Sequence, residues 1–330
     1  MKKIVALGVI ALFLFLVGAV VVGSARFMQD TGITPGVAAK LVFDAGAPLS
    51  SSDGRTNILI LGVGGGNHEG ADLTDTMMVL SLDQKNKSVA MISVPRDIWS
   101  DTLKDKVNSA YHYGELKQKG GGLLLSKVTV EDVLGISIHY AVVIDFSGFE
   151  KVIDEVGGID VNVPTAFTDN QYPKPGMEQA TCPGDPTNAC VYESVHFDAG
   201  LQHMDGARAL IYARSRHAEG VEGSDFARSR RQQIIMVALK NRIMHPMQWF
   251  TFARAKSLPK VIDDASDMDM KVSEAVTIGK RFIGVGDNQI KKISFEDQLE
   301  APLAYVYGRY TLIPIDSWDT IHAYIKDQLK

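Results

Sequence analysis

The chain has 330 residues, 45% hydrophobic and 22% charged, a composition that fits a globular protein and argues against a disordered one. Its formal net charge of -5 gives no support to nucleic-acid binding, which needs a basic field across a face. Any anion site has to be local.

The first element is apolar. Lys2 and Lys3 precede IVALGVIALFLFLVGAVVV (4–22), nineteen positions without charge or proline. As a helix this run is roughly 28 Å long, about the hydrocarbon thickness of a bilayer. One N-terminal transmembrane helix is expected, with the paired lysines holding the amino end in the cytoplasm and the rest outside. A cleaved signal peptide is the alternative, since VGSA (22–25) offers small residues, but the apolar core is longer than such peptides use. Residues 24–55 hold Gly, Pro, Ser and Ala without a strong period and read as a stalk. The chain thus divides into a cytoplasmic tip and anchor (1–23), a linker (24–55) and one extracytoplasmic domain (56–330) at the cell membrane.

NILILGV (57–63) is a short apolar run ending in glycines, as a buried strand would be. TMMVLSLD (76–83) and SVAMISV (88–94) are two further strands, joined by QKNK at hairpin length. Up, down and up again, these three place Asp75 and Arg96 at the same end of the sheet as GVGGGNHEG (62–70), and open α/β sheets place ligands on such a rim. VTVEDVLGI reads as helix, HYAVVIDF (139–146) as strand, and FEKVIDEVGGIDVNVP (149–164) as helix, glycine stop and strand. The alternation indicates an α/β domain. The glycine stretch lacks the Gly-Lys-Ser/Thr of a P-loop and the spacing of a dinucleotide fingerprint, leaving close backbone approach to a ligand or a plain loop.

Residues 165–198 carry turn formers and read as a long surface excursion. Cys182 and Cys190 lie within it, in TCPGDPTNACVY, with no other metal ligand close by. A disulfide closing a surface loop is expected in an oxidising compartment, two unpaired thiols being the alternative. ARALIYARSR then reads as a short helix leading into an extended segment. From the N-cap Ser224, DFARSRRQQIIMVALKNRI forms a helix with Ile234, Ile235, Ala238, Leu239 and Ile243 turned inward. In the remainder, APLAYVYGRYTLIPI holds two prolines and is expected to contribute edge strands.

Arg214, Arg216, Arg228, Arg230 and Arg231 fall within eighteen positions of this acidic chain. Arg228, Arg231 and Gln232 stand at i, i+3 and i+4 near the start of the helix that follows Ser224, where positive side chains oppose the dipole unless an anion sits between them. Amides of the same helix end add donors. If residues 212–216 are extended, Tyr212, Arg214 and Arg216 share a face. A solvated surface, or pairing with Glu219, Glu222 and Asp225, is the alternative. Together with Arg96, the cluster points to a multiply charged ligand such as a pyrophosphate, whose oxygens guanidinium forks match. Asp75, Asp72 and Asp97 near the rim are candidates to hold Mg²⁺ on phosphate oxygens, with solvated turn residues as the alternative. No histidine pair has zinc-binding spacing, and no serine sits in a nucleophile elbow.

NILILGVG, LTDTMMVLSLDQKNKSVAMISVPRDIW, KVNSAYHYG, VIDFSGFEKVIDEVGGIDVNVP and ARSRHAEGVEGSDFARSRRQQ, in this order over about residues 55–243, resemble the LytR-CpsA-Psr family of membrane-anchored cell-envelope transferases. The resemblance implies a mixed central β-sheet sandwiched by helices, an apolar groove for a polyprenyl chain, and arginines that hold its pyrophosphate. It also implies transfer of a glycopolymer from that lipid carrier to peptidoglycan or another envelope acceptor, with Mg²⁺ assisting. Asp75 matches the family's metal-linked aspartate, Arg96 its Pro-Arg-Asp arginine, and Arg214, Arg216, Arg228 and Arg231 its later cluster. Two positions depart from the pattern: Gly64 stands where the first metal-linked aspartate is usual, and Leu73 where an arginine is. Asp72, His68 or Glu69 would have to substitute for the missing carboxylate. The expected site therefore comprises Arg96, Asp97, Arg228 and Arg231 as catalytic residues, with Asp97 activating the acceptor hydroxyl. Pyrophosphate would be bound by Arg96, Arg214, Arg216, Arg228, Arg231 and Gln232, and metal by Asp75 or, less well matched, Asp72. An envelope protein that binds the lipid pyrophosphate or regulates the envelope without turnover is the alternative that the missing aspartate allows.

Overall fold

The computed structural model describes residues 46–330 apart from 67–69, 175, 176, 178, 179, 186, 188 and 250. The expected anchor (4–22), most of the stalk, and His68 and Glu69 lie outside the described residues. Among the described residues no helix is long and apolar enough to cross a membrane. Residues Pro48–Lys330 form one compact unit.

Its centre is a six-stranded sheet in the order Ser266–Met268, Tyr140–Asp145, Arg55–Val63, Thr74–Asp83, Val89–Ser93, Ile290–Ile293. Arg55–Val63 runs antiparallel to Thr74–Asp83 and parallel to Tyr140–Asp145, and Val89–Ser93 likewise has one antiparallel and one parallel neighbour, so the sheet is mixed as expected. The near-continuous apolar runs of the central strands follow from burial on both faces. Leu59, Leu61, Val79 and Ile92 pack on Val130 and Leu134 of helix Gly121–Leu134 and on Ile321 and Ile325 of helix Trp318–Gln328. Ile58, Met78, Leu80 and Met91 face Ile278 and Phe282 of helix Val272–Ile283. Period-two alternation thus builds two cores from one set of strands.

A third core, around Ile153, Val161, Phe197, Tyr212 and Ile235, joins the helices Phe146–Glu155, Gly206–Arg214 and Asp225–Met244. The hairpin between the second and third strands turns where expected, because the Asp83 carboxylate accepts the amides of Lys85 and Asn86, each at 2.8 Å. The last residues of the expected stalk hold to the sheet. Ser50 donates its amide to the Tyr140 hydroxyl at 2.9 Å and its carbonyl accepts from Thr56 at 2.8 Å.

Three local outcomes differ from the sequence reading. The excursion 165–198 contains a hairpin of Phe167–Pro173 and Tyr192–Phe197, with a register shift between Asp169 and Tyr172. Helix Gly206–Arg214 continues through Tyr212 and Arg214, so extended backbone starts only at Ser215. The proline-containing C-terminal segment yields two-residue strands, Leu299–Glu300 and Ile313–Pro314, paired with each other rather than with the main sheet. Cys182 and Cys190 are joined in a disulfide, and no other cysteine occurs.

Candidate functional site

The site grows from the strand ends. Asp75 stands at the start of the second strand and Arg96 just beyond the third, and the Arg96 guanidinium pairs with the Asp75 carboxylate. Gly62 lies opposite Thr76, where an added Cβ would come within 2.9 Å of the threonine Cβ. Gly65, at φ +72°, lies as close to Asp145. These two glycines therefore serve the packing of the rim on itself, a reason internal to the chain.

The helix Asp225–Met244 presents Arg228. Its N-cap Ser224 accepts the Ala227 amide at 3.1 Å, which sets where the first turn begins. Arg228 is only 6% exposed and lies 3.1 Å from Asp225. Arg214, in the last turn of the preceding helix, lies over the Phe146 ring at 4.2 Å and reaches the Tyr172 hydroxyl at 3.4 Å. Arg216 is positioned through its backbone: the buried Asp169 carboxylate accepts the amides of Arg216 at 3.0 Å, His217 at 3.2 Å and Gln171 at 2.9 Å.

These groups surround a cavity of about 180 Å³. Its apolar wall includes Ile60, Met78, Phe149, Leu210, Ile235 and Met236, while Asp75, Arg96, Arg214, Arg216, Arg228 and Gln232 supply the polar part. A second chamber of about 190 Å³ shares Asp75, Arg96, Arg228 and Gln232 and adds Asp97, Ser224, Asp225, Ser229 and Tyr310. One space suits a chain of CH₂ groups, the other a hydrated polar group, and the shared residues lie where they meet.

The electrostatics favour an anion there. Burial works against the charge of Arg96, but Asp75, Asp97 and Asp225 outweigh it and its pKa is raised. Arg228 goes the other way: burial, helped by the nearby Arg96 and Arg216, lowers its pKa despite Asp225 and Asp75. It is a buried cation short of counter-charge. The Nε atoms of Arg96 and Arg228 are buried and make no hydrogen bond. An anion such as a phosphate would supply the counter-charge that Arg228 lacks and acceptors for both guanidiniums.

Two expected roles change. Arg231 lines neither cavity: at 2% exposure its Nη1 meets Glu222 Oε2 at 2.8 Å, its Nε meets the Tyr212 carbonyl at 3.0 Å, and another nitrogen meets the Ser215 carbonyl. Its guanidinium is fully occupied in joining the helix Asp225–Met244 to the segment before it. Asp97 lines the second chamber, but its Oδ1 is 2.5 Å from Lys106 Nζ and its Oδ2 3.4 Å from Arg96. Burial alone would raise its pKa, yet Lys106, Arg96 and Arg228 hold it below its ordinary value, so it is a weak base that fixes Arg96 and Lys106. Arg230 lies outward, 3.5 Å from Glu296.

Among the described residues no group of three or more His, Cys, Asp or Glu converges as a metal cage. Asp72 is engaged by His112 at 2.7 Å and lines neither cavity, which leaves Asp75. Asp145, in the first cavity, caps its helix by accepting the Gly148 amide at 2.6 Å. Magnesium takes only one or two carboxylates and fills its shell with water and phosphate, so Asp75 fits an ion that arrives with a pyrophosphate. Asp169, Tyr172 and Phe146 were absent from the sequence-derived site. Phe146 follows a strand whose end was legible at the rim, whereas nothing in FTDNQYP marks Asp169 as the anchor of Arg216.

The model of the LytR_cpsA_psr family matches residues 34–319. A curated relative in Bacillus subtilis, the polyisoprenyl-teichoic acid–peptidoglycan teichoic acid transferase TagV, is 31% identical over 230 residues, which cover 67% of this chain and 51% of TagV. Staphylococcus aureus regulatory protein MsrR is 36% identical over 215 residues, covering 64% of this chain and 54% of MsrR. The chain thus spans about half the length of the curated relatives it matches. The crystal structure of B. subtilis TagV has the same fold, with a TM-score of 0.59 at 26% identity, covering 84% of this chain and 98% of that one. With a matched span that contains the mixed sheet, both cavities and every arginine around them, this chain belongs to the LytR_cpsA_psr family.

Proposed function

We propose that this protein transfers a phosphate-linked glycopolymer from a polyprenyl-pyrophosphate carrier to peptidoglycan or a similar envelope acceptor, working outside the cell from a single-pass N-terminal anchor. The observation that carries the reading is the apolar cavity bordered by Arg96, Arg214, Arg216 and the under-neutralised Arg228. An amphiphile with an apolar tail and a doubly charged head matches both parts, and a free sugar phosphate would leave the apolar wall unused. The transfer of teichoic acid to peptidoglycan for which TagV is named agrees with this chemistry.

In the reaction, an acceptor hydroxyl attacks the sugar-proximal phosphorus. The new P–O bond forms as the bond to the polyprenyl phosphate breaks, and that phosphate leaves with the electron pair. Arg96 and Arg228 offset the charge growing on the leaving oxygens, in a site already arranged for it. Mg²⁺ on Asp75, when bound, would add positive charge at the same oxygens. Asp225, which lines the second chamber, is 36% exposed and pairs with Arg228, takes the hydroxyl proton in place of the more buried Asp97, which both Lys106 and Arg96 hold.

The test is the full chain in detergent micelles with a synthetic polyprenyl-pyrophosphate glycan, Mg²⁺ and uncrosslinked glycan strands, reading release of polyprenyl phosphate. Arg96→Ala and Arg228→Ala should each lower turnover at least a hundredfold, and full activity in both would overturn the assignment. A second reading, donor binding without turnover in a regulatory role, is favoured by Gly64 and by the name of MsrR. Tight donor binding with no acceptor-dependent product would establish it instead.

A further inference from the structure

The polar chamber beyond the arginines has an unusual neighbour. The segment 301–315 exposes Leu303, Val306, Ile315, Tyr305 at 81% and Tyr310 at 53%, and Tyr310 is also a wall of the chamber. This segment is tied to the turn that presents Arg96. Leu312 donates its amide to the Asp97 carbonyl and accepts from the Trp99 amide, both at 2.9 Å, and Ile98 bridges to Leu312. Arg309 holds Asp105 at 2.9 Å, and the Trp99 and Tyr307 rings lie 4.7 Å apart. An exposed aromatic surface is thus fastened to a catalytic turn, where loose packing would have sufficed for a mere connection.

We propose that Tyr310 and the segment around it form the subsite for the acceptor's sugar rings, an inference that rests on the transferase reading above. A pyranose ring has apolar C–H faces and polar edges, so it needs an aromatic plane together with hydrogen-bonding groups at one place. Tyr310 supplies the plane; Asp225, Ser224 and Ser229 supply the edge partners in the same chamber. Whatever occupies the chamber also meets Asp75, Arg96, Arg228 and Gln232, so its hydroxyl faces the phosphate held in the first cavity. Burial, followed by the nearby Asp97 and Asp225, raises the Tyr310 pKa, which keeps its hydroxyl a donor. A lipid surface is the rival occupant of an exposed aromatic segment, but a membrane has no use for the polar walls that Ser224, Asp225 and Ser229 give the chamber beside Tyr310.

The probe is a tetrasaccharide of alternating N-acetylglucosamine and N-acetylmuramic acid, titrated into the full chain in detergent micelles by saturation-transfer NMR, in parallel with acceptor KM and donor Kd. Tyr310→Ala should weaken tetrasaccharide binding and raise acceptor KM at least fivefold, with donor Kd changed less than twofold, and Tyr310→Phe should keep most of the affinity. Unaltered tetrasaccharide binding in Tyr310→Ala, an equal loss of donor affinity, or weakened binding to anionic vesicles with glycan binding intact would each overturn the subsite. If the wild type transfers polymer while Tyr310→Ala leaves acceptor KM unchanged, the subsite falls and the transferase reading survives. If the tetrasaccharide binds through Tyr310 but the donor yields no product, the transferase reading falls and the glycan site stands.

Discussion

Arg228 and Arg231 are three residues apart on one helix and do opposite work. At about 100° per residue, Arg231 and Gln232 lie on either side of Arg228, about 100° from each other, so the three span a broad arc rather than a single line. Only Arg228 and Gln232 reach the cavities; Arg231 meets Glu222 from the preceding turn. The sequence showed the density of arginines but not this division, because the partner of Arg231 is set by how residues 215–224 fold back. Arg231→Ala leaves the half-buried Glu222 carboxylate and several carbonyls unpaired and should cost about 3–5 kcal/mol of stability, read as a lowered Tm. Arg228→Ala should change Tm little, since it removes a buried charge that lacks full compensation, while donor affinity falls. An equal drop in Tm for both variants would contradict this separation. Asp97 gives a second residue-scale expectation. Its carboxylate is held below its ordinary value, so its stabilising contribution is fully present above that value, 3.8, and is lost as pH falls through the lower folded-state one. The stability gap between wild type and Asp97→Asn, measured by denaturant titration, should be constant near neutral pH and narrow only below about pH 4. A gap that closed between pH 6 and 8 would point to a different titrating group.

At the scale of elements, the strands around the rim were legible because apolar runs of strand length, bounded by turn formers, leave few other structures to build. The hairpin 167–197 was not, since its pairing is long-range, its register shifts, and its outward positions are polar. That hairpin nevertheless sets the site, because its Asp169 accepts the amides that fix Arg216 and His217. Asp169→Ala should cost about 1–3 kcal/mol through unpaired buried amides and should raise donor KM as Arg216 loses its place. A stability loss with unchanged donor KM would reduce Asp169 to a purely structural part. The helix start is equally local: Ser224→Ala should cost about 1 kcal/mol, measured by thermal melting, since the Ala227 amide loses its acceptor.

At the scale of the whole molecule, an α/β domain was predictable from the alternation of strands and helices, while the mixed sheet and its place between helices came from family resemblance. The two-chamber plan was not readable, because it depends on residues 224–232 meeting residues 75, 96 and 310 across the fold. The metal expectation belongs at this scale too. With Asp75 as the one strong candidate ligand among the described residues, a chelator should leave the Tm of the ligand-free protein unchanged while lowering transfer. A chelator-induced fall in Tm without substrate would reveal a protein-built metal site.

The four side chains common to both chambers have a consequence for how such a protein can diversify. A substitution at Asp75, Arg96, Arg228 or Gln232 alters both chambers at once, so on the proposed transfer reaction neither the carrier side nor the acceptor side can be retuned there alone. Independent change has to enter through the private walls, such as Phe149 and Leu210 on one side and Tyr310 on the other. Variation among members of the family should gather on those private walls, with the junction held constant.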